Sequence, residues 1–368
     1  MRLISLPGVP HAGTPPPRPA RLAMLLAGAS LSLAACTTAP PDAAGPSMAR
    51  HPVTEMGMRD LRAEFRRAFC ARLPRQADCA DILLRLPGEP VHAASSRFDA
   101  PATLAGRYRL AFVPGLLAGC AGPLAMPFAD TVDTLRAAGF DARILSIDGR
   151  GSTPHNAALI ARQLTEAEPD PRPWIVFGYS KGLPDALEAL VQHPQASRDI
   201  AAVVSYAGAV GGSRLADEAG GLQAALLEHV PLPGCDAGDG TALQALRRDV
   251  RHAWWQAHHT ALRPPIYALA AAARPDRVSA PLRGTYATLS KTDPLNDGQL
   301  IAADALAPGG TLLGYVNADH WAMAMQLSRL PIAGALFIDD VPRADLVLAA
   351  VQVISQHTPK THEKARLH

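Results

Sequence analysis

Along the middle of the chain, short runs of apolar residues alternate with longer segments in which apolar residues recur every three or four positions, the periods of buried strands and one-sided helices. The first strong run is Tyr108 to Val113, ended by Pro114-Gly115. A helix follows, with Phe128, Val132 and Leu135 on one face and Gly139 as its C-terminal stop. Ala142 to Ile147 is the next strand, closed by Asp148-Gly149-Arg150-Gly151-Ser152, and a helix runs through Ala158 to Leu164. Trp174 to Phe177 and Ile200 to Tyr206 continue the series, with Leu183, Ala186, Leu187, Leu190 and Val191 marking a helix between them. Strand and helix units about 30 residues long imply crossover connections, and hence a mostly parallel sheet with helices on its faces.

The rhythm starts after a helix around Met58 to Ala71 and breaks after Gly208. From Ser213 to Ser279 the pattern is mostly helical, broken at Gly220-Gly221, Pro231, Pro233 and Gly240, and it reads as an inserted helical cap. Trp254 and Trp255 in that stretch are expected to pack the cap. Strands resume at Gly284 to Leu289 and Thr311 to Val316, and the last long helix is Ala344 to Ile354. There is no internal repeat.

Gly178-Tyr179-Ser180-Lys181-Gly182 lies between the Trp174 to Phe177 strand and the helix that follows. A Gly-x-Ser-x-Gly string is common by chance, so its context carries the inference: a sharp strand-to-helix turn with Ser180 at the apex and glycines where a Cβ would clash. Pro184 fits the first turn of that helix. A serine hydroxyl is a poor nucleophile unless a base lies within reach and a carboxylate orients that base. In an open parallel sheet such groups collect at the carboxyl ends of strands. Asp293 follows the Gly284 to Leu289 strand, and His320 follows the Thr311 to Val316 strand. Asp297, in the turn Asn296-Asp297-Gly298, competes with Asp293, and the position nearer the strand end is preferred. His252, His258 and His259 compete with His320 but sit in a polar helix, without the spacing of a zinc site.

The order Ser180, Asp293, His320 on strand ends resembles the α/β-hydrolase family over residues 105 to 356. The resemblance implies a nucleophile at Ser180, a general base at His320 and an orienting acid at Asp293. It implies an oxyanion hole from the backbone N–H groups of Leu116 and Lys181. Many lipases carry His-Gly-Leu-Leu where this chain has Pro114-Gly115-Leu116-Leu117; the Leu116 donor survives that change, but what braces the loop does not follow from the sequence. Gly212-Ser213 followed by Ala216-Asp217 also resembles a loop of bacterial lipases. The Lys181 side chain is expected to point away from the hole or, as the alternative, to meet an anionic group at the pocket edge, the first being preferred.

The chain has 368 residues, a formal charge of +2 and 48% hydrophobic residues, enough for a substantial core and without a basic stripe for nucleic acid. Arg18 and Arg21 precede an apolar stretch from Leu22 to Ala35, too short to span a bilayer. Leu33-Ala34-Ala35-Cys36 resembles a bacterial lipobox, which implies a signal peptide over 1–35 and an acylated Cys36. Residues 36–55 read as a flexible tether, 56–360 as the hydrolase domain and 361–368 as a disordered tail. Cys70, Cys79, Cys120 and Cys235 permit two disulfides, for which Cys70 with Cys79, close in sequence across Pro74, and Cys120 with Cys235 are preferred.

The sequence therefore reads as an α/β protein of the cell envelope, on the periplasmic side of the outer membrane or, alternatively, periplasmic or secreted. Its expected activity is cleavage of a small-molecule or lipid ester through an acyl-enzyme on Ser180, which requires no cofactor and no metal. The alternatives are a thioesterase or peptidase of the same fold and a non-catalytic lipoprotein that binds a ligand or partner.

Overall fold

In a computed structural model, the described residues are 53, 56–74, 77–91, 98–120, 122, 125–220, 235, 238 and 240–358. The signal peptide, Cys36, nearly all of the tether and the tail lie outside them. Eight strands form one sheet: β1 (Arg59–Asp60), β2 (Leu83–Leu84), β3 (Arg109–Val113), β4 (Ala142–Ile144), β5 (Trp174–Ser180), β6 (Ile200–Gly208), β7 (Ile266–Ala271) and β8 (Thr311–Val316). Their order is β1-β8-β7-β6-β5-β3-β4, with β2 paired to β8. Every pairing is parallel except that of β2 with β8.

Side chains alternate across the central strands and supply two cores, as the two-residue period of a strand requires. On one face Leu110, Phe112, Ile175, Phe177, Tyr179, Val204 and Tyr206 pack with residues of helix α1 (Arg62–Cys70), helix α4 (Ala129–Ala137) and the C-terminal helix Arg343–His357. Helices α2 (Ala77–Ile82) and α3 (Pro101–Ala105) are short connectors. On the other face Ala111, Val113, Val176 and Val203 pack with Leu183, Leu187 and Leu190 of α6 (Gly182–Gln192) and Ala157, Ile160 and Leu164 of α5 (Thr153–Thr165). Strands buried on both faces carry apolar residues at nearly every position, as the nine buried residues of β6 do.

The chain passes from β3 outward to β4, then returns to lay β5 on the other side of β3. Loops leaving β3 and β5 therefore diverge above their carboxyl ends, which opens a crevice where ligands bind in such sheets.

Two expectations are corrected. Ile266–Ala271 is a fully buried strand inside the range read as the cap, so the inserted material ends before it. Gly284 to Leu289, read as a strand, lies within the helix Arg283–Ser290, of which only Leu289 is buried. Alanine is depleted in strands while threonine and tyrosine favour them, so local propensity pointed the wrong way at both places, and at Ile266–Ala271 burial within the sheet overrode it. Of the insertion, the described parts are the helices Arg214–Glu218 and Arg248–His258 and short 3-10 turns. Trp254 and Trp255 pack against the α5–α6 core. Both expected disulfides are present, with Cα separations of 5.3 Å for Cys70–Cys79 and 4.7 Å for Cys120–Cys235. Among the described residues no helix is long and apolar enough to cross a membrane.

Candidate active site

Strand β5 ends at Ser180 and α6 begins at Gly182, so the whole turn is one residue long. Ser180 has φ +53°, a conformation that costs a non-glycine residue energy and is held here by the strand and helix on either side. A Cβ at Gly178 would come within 2.6 Å of the Leu183 Cα, and one at Gly182 would overlap the carbonyl oxygens of Val113 and Pro114. Both glycines of the motif are thus required by backbone packed against backbone. Gly115 is equally constrained: its Cβ would lie 2.7 Å from the Ser180 Cβ, so the loop after β3 rests directly on the serine.

Leu116, the next residue, and Lys181, just past the apex, are the expected oxyanion donors. Among the described residues neither N–H donates to another group of the chain. Leu117 has φ +62° and donates to the Gly149 carbonyl at 2.7 Å, which ties this loop to the turn after β4. Cys120 anchors its far end through Cys235. The Lys181 side chain turns away from Ser180 into the interior, where its Nζ meets the Asp185 carboxylate at 2.8 and 2.9 Å. This matches the expectation that it points away from the hole.

His320 follows β8, as expected, and is only 4% exposed. The carboxylate that meets it is that of Asp297 and not that of Asp293: His320 Nδ1 lies 2.7 Å from Asp297 Oδ2. The His320 N–H also donates to the Asp297 carbonyl at 2.8 Å. The other carboxyl oxygen of Asp297 accepts the N–H groups of Gln299 and Leu300 at 2.8 and 2.7 Å, so both oxygens of this buried group have hydrogen-bond partners. Asp293 instead accepts the Leu295 N–H at 2.9 Å within its own turn. The reason is topological. Asp293 stands just past a helix, and the segment that starts from β7 reaches the imidazole only four residues later, at a turn that Gly298 closes with φ +87°. The signals in the sequence were that Asn-Asp-Gly turn and the buried run after Pro264-Pro265.

Two further residues hold His320 in place. Tyr179 donates its phenol proton to the His320 carbonyl at 2.8 Å and stacks on the imidazole at 4.9 Å between centroids. Burial keeps that phenol far above its ordinary pKa, so it remains a donor. Asp319 accepts from the N–H groups of Ser279 and Ala322 at 2.7 and 2.9 Å and so fixes the loop around His320. His252, His258 and His259 belong to the insertion, and the last two lie against Trp254 and Trp255. Among the described residues no three His, Cys, Asp or Glu side chains gather as metal ligands.

A cavity of about 700 Å³ adjoins the Leu116 loop, lined by Pro114, Ala118, Met126, Ile147 and Leu159 with His155 and Arg162 among its polar members. That volume is within the range of small-molecule sites.

No protein-family model matches the chain, and no curated protein matches it. Among solved structures, a metagenomic carboxyl esterase, MGS0156, is 36% identical with a TM-score of 0.77, over 83% of this chain and 95% of its own. The mature form of the lipase BlEst2 of Bacillus licheniformis is 24% identical at TM-score 0.48, over 68% of this chain and 92% of its own. Lipase B of Aspergillus fumigatus is 13% identical at TM-score 0.36, over 77% and 67%. The strand order, the elbow at Ser180 and the extent of the match to the metagenomic esterase together mean that this chain belongs to the α/β-hydrolase family of esterases and lipases.

Proposed function

We propose that the chain hydrolyses carboxylic esters through an acyl-enzyme on Ser180, with His320 as the proton carrier and Asp297 as the group that orients it. The observation that carries this reading is the 2.7 Å bond between His320 Nδ1 and Asp297 Oδ2, on an imidazole that stacks against Tyr179, the residue just before a serine held at φ +53°. Asp297 engages Nδ1, which leaves Nε2 as the basic nitrogen of the ring. Ser180 Oγ attacks the ester carbonyl carbon as its proton passes to Nε2. The oxygen that becomes negative is met by the Leu116 and Lys181 N–H groups, each such donor contributing about 3 kcal/mol in related sites. Collapse of the intermediate breaks the acyl–alkoxy bond, and the alcohol leaves with the proton from Nε2. Water then adds by the same steps, releasing the acid and restoring Ser180.

An ester is favoured as substrate because the solved relative of 36% identity is described as a carboxyl esterase. The cavity beside Pro114 and Ala118 is of a size and polarity to take a small apolar group of the substrate, with Arg162 at hand for a polar end. The test is labelling with a fluorophosphonate, with peptide mapping of the adduct, beside Ser180→Ala. Adduct confined to Ser180, together with turnover of p-nitrophenyl esters, supports the reading. A folded protein that neither labels nor hydrolyses esters, thioesters or amides overturns it.

The chain is further proposed to be a lipoprotein acylated at Cys36 and held at the periplasmic side of the outer membrane. The lipobox-like Leu33 to Cys36 and two disulfides suited to an oxidising compartment support this. Metabolic labelling with an alkyne fatty acid should mark the wild type and not Cys36→Ser; equal labelling would refute it.

A further inference from the structure

The two proposed oxyanion donors sit on separate loops, Leu116 after β3 and Lys181 after β5. Pro114, at the start of the first loop, has no polar side chain with which to brace it. A continuous set of buried and half-buried contacts nevertheless joins the two. From Lys181, Nζ reaches both oxygens of Asp185 at 2.8 and 2.9 Å, one helical turn along α6. Asp185 Oδ2 accepts the Asn156 amide N–H at 2.9 Å across to α5. Asn156 grips the main chain of Asp148 from both sides: its Nδ2 donates to the Asp148 carbonyl and its Oδ1 accepts the Asp148 N–H, each at 3.0 Å. One residue on, the Gly149 carbonyl accepts the Leu117 N–H at 2.7 Å. Gly149 also packs so closely on Ala118 that a Cβ would overlap its carbonyl oxygen. The path ends beside the Leu116 donor.

Lys181, Asp185 and Asn156 are at most 1% exposed. A fully buried ion pair is a poor source of stability, since the desolvation of both charges offsets most of their attraction. What such a pair does supply is direction, because each group has a single partner geometry that satisfies it. An amide is also the side chain that can donate and accept at the same time, and Asn156 uses both capacities. We propose that Asn156, Asp185 and the Lys181 ammonium are positioning residues that hold the two oxyanion donors at a fixed separation, in place of a side-chain brace at position 114. This inference rests on Ser180 being the nucleophile.

The test compares wild type with Asn156→Leu and with the double variant Lys181→Met/Asp185→Leu. The double variant keeps the Lys181 N–H and removes both charges of the pair together, while the buried Arg251, which Asp185 also faces, keeps Glu188 as a counter-charge. Each is assayed for kcat and KM on a p-nitrophenyl ester, for the Ki of an aryl trifluoromethyl ketone and for thermal unfolding. The ketone adds Ser180 Oγ to its carbonyl and places a tetrahedral oxyanion between the donors. A loosened hole should lower kcat about 10- to 100-fold with KM within about twofold, and weaken the ketone by the same factor, as expected for a misplacement near 1 Å. The melting temperature of the double variant should stay within a few degrees of wild type. Wild-type kcat and Ki in a folded double variant would overturn the brace, as would a loss of kcat without a matching loss of ketone affinity. Wild-type labelling at Ser180 separates the two failures: if the wild type is inert the nucleophile assignment falls and the brace with it, whereas a reactive wild type with equally reactive variants defeats the brace alone.

Discussion

The phenol of Tyr179 donates to the main-chain carbonyl of His320 at 2.8 Å, and its ring lies against the imidazole. The residue preceding Ser180 thus holds the loop that carries His320, which ties the elbow to that loop. Tyr179→Phe keeps the stacking and removes the bond. It should leave a buried carbonyl unsatisfied, destabilise the protein by about 1–3 kcal/mol and reduce kcat several-fold with little change in KM. Steady-state kinetics with chemical unfolding checks this; wild-type values in both would show that the contact is incidental.

The acid is decided by comparing Asp297→Asn with Asp293→Asn. Loss of the carboxylate on Nδ1 leaves the ring in the wrong tautomer and should lower kcat by about 10³- to 10⁴-fold. Asp293, which accepts the Leu295 N–H within its own turn and does not engage the His320 imidazole, should change kcat by no more than a few-fold when replaced. The opposite ranking would return the role to Asp293.

Asp304 offers a test of stability against pH. It is 6% exposed, and burial, only partly opposed by Arg248 and reinforced by Asp217 and Asp293, raises its pKa to about 7. Between about pH 4 and 7 the folded protein therefore holds a proton that the unfolded chain has released, and stability falls as pH rises through that window. Above pH 7 the penalty is complete, with a ceiling of about 4 kcal/mol for a shift of this size. Asp304→Asn should match wild type near pH 4 and melt progressively higher up to pH 7–8. A difference in melting temperature that does not vary with pH would be inconsistent with a buried ionisable carboxyl.

The two disulfides should differ in their worth. Cys120–Cys235 spans 115 residues and Cys70–Cys79 only 9. In the chain-entropy account the longer closure contributes about 5 kcal/mol and the shorter about 3. Cys120→Ser/Cys235→Ser should therefore unfold at lower urea than Cys70→Ser/Cys79→Ser. It should also lose activity under native conditions, because Cys120 ends the loop that carries Leu116. Equal midpoints and unaltered turnover would argue against both statements.

Features set by short stretches of chain were readable directly. The elbow needs only a buried strand, one residue in a strained turn and a helix, all within Trp174 to Gln192, and Gly178 and Gly182 mark it because backbone lies where their Cβ atoms would be. His320 follows a strand that reads as an apolar run and is buried from Leu312 to Val316. The carboxylate that meets His320 was not legible in the same way. Whether Asp293 or Asp297 meets the imidazole depends on the true strand being Ile266–Ala271, an alanine-rich segment that joins the sheet only because β6 and β8 flank it. Likewise Lys181 and Asp185 stand four apart on one helix, a spacing visible in the letters, but Asn156 is 29 residues from Asp185 and becomes its partner only when α5 packs on α6. Local propensity acts over a few residues and leaves its trace in the sequence. The pairing of a buried polar group is settled by which neighbour the packed chain brings within 3 Å, because an unpaired one costs too much to persist.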